Sequence, residues 1–122
     1  MERRDFLKSL AASTPALMLP LNLSGESLHL RDRIGEILPQ RILGRTGEPV
    51  TMLGLGGYHI GWTTERDAQE TIEAALEGGI RLFDNAESYD NGGSESRYGK
   101  YLVPKYREEV FIMTKSTATD AK

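Results

Sequence analysis

The chain has 122 residues, 39% of them hydrophobic and 27% charged, a balance that suits a soluble globular fold of modest size. Its net charge of −3, with no basic run interleaved with aromatics, excludes a general nucleic-acid surface and leaves small-molecule chemistry as the expectation. The lack of any cysteine excludes disulfides, thiolate catalysis and Cys-based zinc sites, and leaves the redox compartment open.

The first residues read as a separate object. A charged start, Arg3-Arg4-Asp5-Phe6-Leu7-Lys8, precedes a moderately apolar stretch over residues 9–23 that Pro15 and Pro20 interrupt. An apolar run too short to span a bilayer, set behind basic residues, is the pattern of an export signal rather than of an anchor. The paired arginines resemble the twin-arginine type, which implies the twin-arginine export machinery as a partner and a periplasmic or exported location. Glu2 stands before the pair where Ser or Thr is usual, and no A-x-A cleavage site follows. The plainer alternative is a cytoplasmic protein with an N-terminal extension and a coincidental Arg pair. Residues 1–24 are assigned to the signal. Residues 25–40, mixed and weakly periodic, are assigned to a linker with room for one short helix, and His29 within it carries no functional argument.

From Arg41 the signals sharpen. Arg41-Ile42-Leu43 and Val50-Thr51-Met52-Leu53 flank Gly44-Arg45-Thr46-Gly47-Glu48-Pro49, whose Gly and Pro content predicts a β-hairpin. Its second arm is expected to run on into a strand through Leu53-Gly54-Leu55-Gly56. Thr64-Glu65-Arg66-Asp67 is similar to a capping box, and Ala68, Ile72, Ala75 and Leu76 then share one face of an amphipathic helix that Gly78-Gly79 ends. Ile80-Arg81-Leu82-Phe83 follows as a strand. Ser94 is placed to cap a second helix, with Tyr98, Tyr101 and Leu102 on its apolar face and Pro104 as its stop, and Val110-Phe111-Ile112-Met113-Thr114 is the next strand. The order hairpin, β, α, β, α, β predicts an α/β fold with parallel strands and helices packed outside.

Three parallel strands leave two open edges, and a complete (β/α)₈ barrel takes about 250 residues. Residues 41–122 are therefore expected to be the N-terminal portion of such a barrel, incomplete in this chain and, if made alone, poorly soluble or partly folded and inactive. A short open α/β domain is the structural alternative.

Two strand ends carry the chemistry. Leu82-Phe83 sends out Asp84, Tyr89 follows five residues later, and the next strand delivers Lys115. A Lys ammonium near a phenol favours the phenolate and makes proton donation easier, while a carboxylate beside the Lys holds it in place. Any one of these residues alone reads as part of an ordinary salt bridge beside a surface Tyr; the three at this spacing predict a tuned proton donor. Gly54-Leu55-Gly56-Gly57-Tyr58-His59 begins like a dinucleotide fingerprint but has His59 where the third Gly belongs, so it is not one. Tyr58, His59 and Trp62, on the loop after the first strand, are candidates for a substrate pocket or for structural plugs. Asn91-Gly92-Gly93 reads as a tight turn, and Ser94 and Glu95 are assigned to structure. No metal site is expected.

Asp84-x-Ala86-x-x-Tyr89, then Gly93-Ser94-Glu95 and Gly99, then Thr114-Lys115 at the end of the next strand, resemble the N-terminal third of the aldo-keto reductases over residues 44–115. The resemblance implies a (β/α)₈ barrel closed at the bottom by the hairpin, and reduction of an aldehyde or ketone by a nicotinamide hydride. It makes Tyr89 the proton donor, Lys115 the group that lowers its pKa, and Asp84 the anchor of Lys115 near the nicotinamide ribose. It also makes Gly56 and Gly57 a strand end where the backbone approaches the nicotinamide ring, with a plain turn as the rival reading. The implied cofactor is NADPH or NADH, the phosphorylated form favoured, and the implied partner is a small carbonyl substrate. The family's catalytic His follows the fourth strand, so His59 cannot stand in for it. The rival function is a non-catalytic, nicotinamide-binding barrel acting as a regulatory or sensing subunit.

Overall fold

Thr51 is where the chain changes sheets. In the computed structural model, which describes residues 30–119, the hairpin pairs β1 (Gln40–Ile42) antiparallel to β2 (Pro49–Thr51), with Arg41 opposite Val50. Leu43 N donates to Glu48 O at 2.8 Å and Thr46 Oγ1 to Leu43 O at 2.7 Å, closing the expected turn. The second arm does not run on into the next strand. The buried Thr51 hydroxyl donates to Leu53 O at 2.7 Å and accepts from Arg81 N and Leu82 N, each at 3.1 Å, so the chain bends at residues 52–53 and restarts in a different sheet.

That second sheet has β4 (Leu82–Asp84) at its centre, parallel to β3 (Gly54–Leu55) on one side and β5 (Phe111–Met113) on the other. Two helical crossovers join the strands, as the alternating pattern predicts. α1 (Tyr58–Trp62) and α2 (Glu65–Glu77) lead from β3 to β4, while a 3₁₀ turn (Tyr89–Gly92), α3 (Gly93–Tyr101) and α4 (Val103–Tyr106) lead from β4 to β5. The strand expected over residues 80–83 starts two residues later because Ile80 N caps the preceding helix through Ala75 O at 2.9 Å, and Arg81 N belongs to Thr51.

The core lies between this sheet and its helices. Ala68, Ile72, Ala75 and Leu76, the predicted apolar face, are all buried, as are Phe83, Tyr98, Leu102 and Val110. Phe83 and Tyr98 meet edge to face with ring centroids 5.8 Å apart, and each large buried side chain contributes about 1.5–3 kcal/mol. Thr64 caps α2 as expected, its hydroxyl accepting from Asp67 N at 3.1 Å. Ser94 does not cap α3. Gly92 holds the N-cap position, and the fully buried Ser94 hydroxyl donates instead to Gly57 O at 2.8 Å, tying the exit of β3 to the crossover that follows β4. Pro104 is not the stop either; it sits in the first turn of α4, where its missing N–H costs no helical hydrogen bond.

The expected signal, residues 1–24, and the start of the expected linker lie outside the described residues. From residue 30 that linker is folded, with no helix. Arg31 bridges antiparallel to Glu36, and Leu38 N donates to Gly79 O at 3.0 Å. Gly79 is in the left-handed region at φ +88°, and a Cβ there would come within 2.9 Å of both Glu36 O and Leu38 N, so glycine is what lets the segment lie flat on the α2–β4 junction.

The segment is pinned by charge. Asp32 takes a two-pronged contact from the buried Arg81 guanidinium, Nε to Oδ2 at 2.6 Å and Nη2 to Oδ1 at 3.0 Å, while Arg81 Nη1 donates to Leu76 O and Ile80 O. These Arg81 hydrogen bonds draw the Asp32 carboxyl down from 3.8 to about 2. A depressed carboxyl contributes its full stability above the ordinary value and loses it as pH falls toward about 2. Asp32→Asn is expected to destabilise the intact protein by about 3 kcal/mol at pH 7, since it leaves a buried guanidinium without its counter-charge. Chemical denaturation reads this out; a loss within the range of surface pairs, under about 1 kcal/mol, would show that Arg81 does not depend on Asp32.

Candidate active site

All three predicted residues sit at the C-terminal end of the parallel sheet. Asp84 is the last residue of β4, Lys115 lies two residues past the end of β5, and Tyr89 opens the 3₁₀ turn after β4. The alternation of a strand carries Phe83 into the core and turns Asp84 the other way. Lys115 Nζ donates to Asp84 Oδ1, and Tyr89 Oη donates to Asp84 Oδ2 at 3.3 Å. The ammonium also lies 4.9 Å from the centroid of the Tyr89 ring. One carboxylate therefore gathers a phenol and an ammonium side by side.

The pair is open to solvent, with side-chain exposures of 46% for Lys115 and 28% for Asp84, so its strength comes from hydrogen bonding rather than from burial. The Asp84 carboxylate, above all, holds the Lys115 ammonium above the usual lysine value, against a small loss of solvation and with help from Tyr89. Lys115 stays charged across the neutral range and gives up its proton only as pH rises beyond the ordinary lysine region.

Tyr89 is placed by a turn under local strain. Its N–H donates to Ala86 O at 3.1 Å, and Asp90 and Asn91 then adopt φ +52° and +49°. Two successive non-glycine residues in the left-handed region cost about 1–3 kcal/mol each, although Asp and Asn tolerate it better than most. The turn reverses the chain directly into α3 and keeps Tyr89 over the end of β4.

Gly56 and Gly57 differ in their surroundings. A Cβ on Gly57 would fall 2.2 Å from Asp84 O and 3.0 Å from Ser94 Oγ, so this glycine lets the exit of β3 touch the backbone of the residue that carries the carboxylate. A Cβ on Gly56 would meet nothing within 4 Å. Tyr58, His59 and Trp62 lie on the helical turn α1 rather than on a loop, because Ile60 and Gly61 between them pack inward while Thr63 N closes the turn on His59 O at 3.1 Å. Tyr58 and Trp62 are 50% and 62% exposed. The Tyr58 ring meets Tyr89 at 5.5 Å and His59 at 5.2 Å edge to face, and lies tilted against Trp62 at 6.1 Å, so α1 raises an aromatic wall beside the phenol.

Two acidic residues complete the surroundings. Glu95 accepts from Thr114 Oγ1 at 2.7 Å, in keeping with its structural assignment, and holds the end of β5 to α3. Glu87 accepts from Ser116 and Thr117, beside Lys115, and received no role from the sequence. Its place between Ala86 and Tyr89 in the motif was the available signal.

The family model described as the aldo/keto reductase family matches residues 52–122. Aldo-keto reductase YhdN of Bacillus subtilis is 39% identical over 82 residues, which cover 63% of this chain and 25% of that protein. A putative voltage-gated potassium channel subunit beta of Schizosaccharomyces pombe is 37% identical over 83 residues, covering 64% of this chain and 24% of that one. Among solved structures, the aldo-keto reductase AKR11C1 of Bacillus halodurans in its holo form superposes with a TM-score of 0.59 at 31% identity, covering 63% of this chain and 25% of that chain. The chain thus spans about a quarter of the length of the relatives it matches. With the family model matched over more than half the chain, and the parallel sheet and its strand-end residues arranged as described, the chain belongs to the aldo/keto reductase family.

Proposed function

We propose that the protein to which this chain belongs reduces an aldehyde or ketone with NADPH or NADH, and that Tyr89 is its proton donor. The observation that carries this reading is the meeting of Tyr89 Oη and Lys115 Nζ on the Asp84 carboxylate at the strand ends. A nicotinamide cofactor, when bound, supplies the hydride. The residues present suit such a group: Gly56 leaves the backbone uncovered one residue from the Gly57–Asp84 contact, and the Asp84–Lys115 pair is half-open beside it. Asp84 and Lys115 would hold the ribose side of the cofactor, with Gly56 and Gly57 beneath the ring.

In this scheme Tyr89 hydrogen-bonds the substrate carbonyl oxygen and gives it the Oη proton as negative charge develops there. Lys115 stabilises the charge left on Oη, and Asp84 keeps Lys115 both charged and in place. Tyr58 and Trp62 offer apolar surface to the substrate's carbon frame and exclude water from one side, with His59 on the same turn.

The resemblance to a potassium channel β subunit favours a second reading, in which the barrel binds a nicotinamide cofactor as a sensing or regulatory subunit. An intact proton-donor group argues for catalysis. The two readings part on one measurement: a regulatory barrel binds cofactor without turning over simple aldehydes.

Tyr89→Phe is expected to lower turnover at least about a hundredfold while cofactor affinity, measured by fluorescence titration, is retained. Equal turnover in wild type and variant would remove Tyr89 from the reaction. Lys115→Met is expected to cost about as much in kcat, and a variant that binds cofactor normally at full speed would reduce Lys115 to a surface cation.

We further propose export by the twin-arginine route, on the strength of the Arg3-Arg4 pair and the apolar stretch behind it. The route suits an enzyme that folds around its cofactor before leaving the cytoplasm. Changing Arg3 and Arg4 together to Lys is expected to retain the protein in the cytoplasm, since a receptor that reads the guanidinium pair does not accept ammonium groups. Unchanged periplasmic protein in a cell fractionation would refute the route, and a cytoplasmic wild type would refute export itself.

A further inference from the structure

Beyond Met113 the β4–β5 ladder ends, yet Lys115 must present its ammonium to Asp84 from that unpaired stretch. The backbone there is held from the other strand's loop. Glu87 N donates to Lys115 O at 3.0 Å. The Glu87 carboxylate then accepts from Ser116 Oγ at 2.9 Å on one oxygen, and from Thr117 Oγ1 at 2.5 Å and Thr117 N on the other. Ser116 Oγ in turn accepts from Ala118 N at 3.2 Å. A single residue therefore grips the chain at three consecutive positions, 115 to 117, with Lys115 at the edge of the grip.

We propose that Glu87 is a positioning residue for the proposed reduction: its carboxylate clamps Ser116 and Thr117, and so fixes the backbone from which Lys115 reaches Asp84 and Tyr89. The inference rests on the reading of Tyr89 and Lys115 given above. Glu87 touches neither the phenol nor the ammonium through its side chain and acts through the loop. Charge-assisted hydrogen bonds to two hydroxyls and a main-chain N–H fit this task, because they fix direction as well as distance. These donors, Thr117 first and then Ser116, also hold the Glu87 carboxyl below its ordinary value, which favours the ionised, accepting form at neutral pH. A lysine stem has four carbons and many rotamers, so a backbone left free at residues 116–117 would spread the ammonium over many positions. Displacements of about 1 Å at a reacting group cost up to about a hundredfold in rate.

The test separates the clamp from the bare charge of Glu87. Three variants of the full-length protein are compared: Glu87→Ala, Glu87→Gln, and the double change Ser116→Ala with Thr117→Val. Two quantities are read: kcat with KM, and the titration of the Lys115 amine by NMR in cofactor-free protein. The clamp requires Glu87→Ala and the double variant to behave alike, with kcat lowered roughly tenfold or more, KM for cofactor nearly unchanged, and the Lys115 titration moved to lower pH. It also requires Glu87→Gln, which keeps one acceptor oxygen and loses both the charge and the second acceptor, to fall between wild type and Glu87→Ala. A double variant identical to wild type in both readouts overturns the proposal, since it keeps the charge of Glu87 and removes the hydroxyls it holds, and so does a Glu87→Ala that matches wild type. If Glu87→Ala fails to fold, the double variant on the exposed loop still decides. Should Tyr89→Phe leave turnover intact, the reaction assignment falls, while the amine titration still reports on the clamp.

Discussion

A buried guanidinium organises the lower end of this structure. Arg81 precedes the central strand, and its side chain binds the end of α2 through Leu76 O and Ile80 O, and the N-terminal segment through Asp32. Its main chain binds the hairpin through Thr51 and the neighbouring strand through Phe111, whose N–H donates to Arg81 O at 2.7 Å. A charge this deep is tolerable only when every donor is used and a counter-charge is close. Side chain and main chain of this one residue thus join the N-terminal segment, the end of α2, the hairpin and β5 to the start of the central strand, and the register of the parallel sheet starts from that junction.

The upper end is built on the opposite plan. The end of β4 and the stretches after β4 and β5 carry Asp84, Tyr89 and Lys115, the groups to which the reaction is assigned by proposal, and the sheet beneath sets their spacing. Close backbone contact does the alignment: Gly57 lies against Asp84 O, and the Ser94 hydroxyl sews the same glycine to the next crossover. Polar side chains then tie loop to loop, with Glu95 on Thr114 and Glu87 on the residues after Lys115. This division between a stabilising end and a reactive end is general in parallel α/β barrels.

The sequence made the grouping of Asp84, Tyr89 and Lys115 legible because strand ends can be counted. An apolar run followed by Asp84, and a second run followed by Lys115, put both side chains at one edge once the strands are taken as parallel. The amphipathic face of α2 and the Thr64 cap were legible for the same reason, since each is a local pattern. Three features were not. Ser94 looked like a cap because local spacing cannot reveal a carbonyl 37 residues away as the better partner. Residues 30–38 looked like a linker because they have no periodicity; their order comes from Asp32 and Arg81, 49 positions apart. Pro104 looked like a stop because a proline that ends one helix and a proline that begins the next are the same letter at almost the same place.

The three-residue span of β4 has a mechanical consequence. Arg81 stands just before it and Asp84 is its last residue, so the two lie about 10 Å apart along an extended backbone. A strand so short and hydrogen-bonded to neighbours on both sides leaves little slack between its two ends, so a substitution that shifts Arg81 is expected to shift the Asp84 carboxylate as well. The Asp32–Arg81 ion pair, which fixes the lower end of this span, therefore also bears on where the Asp84 carboxylate stands at its upper end.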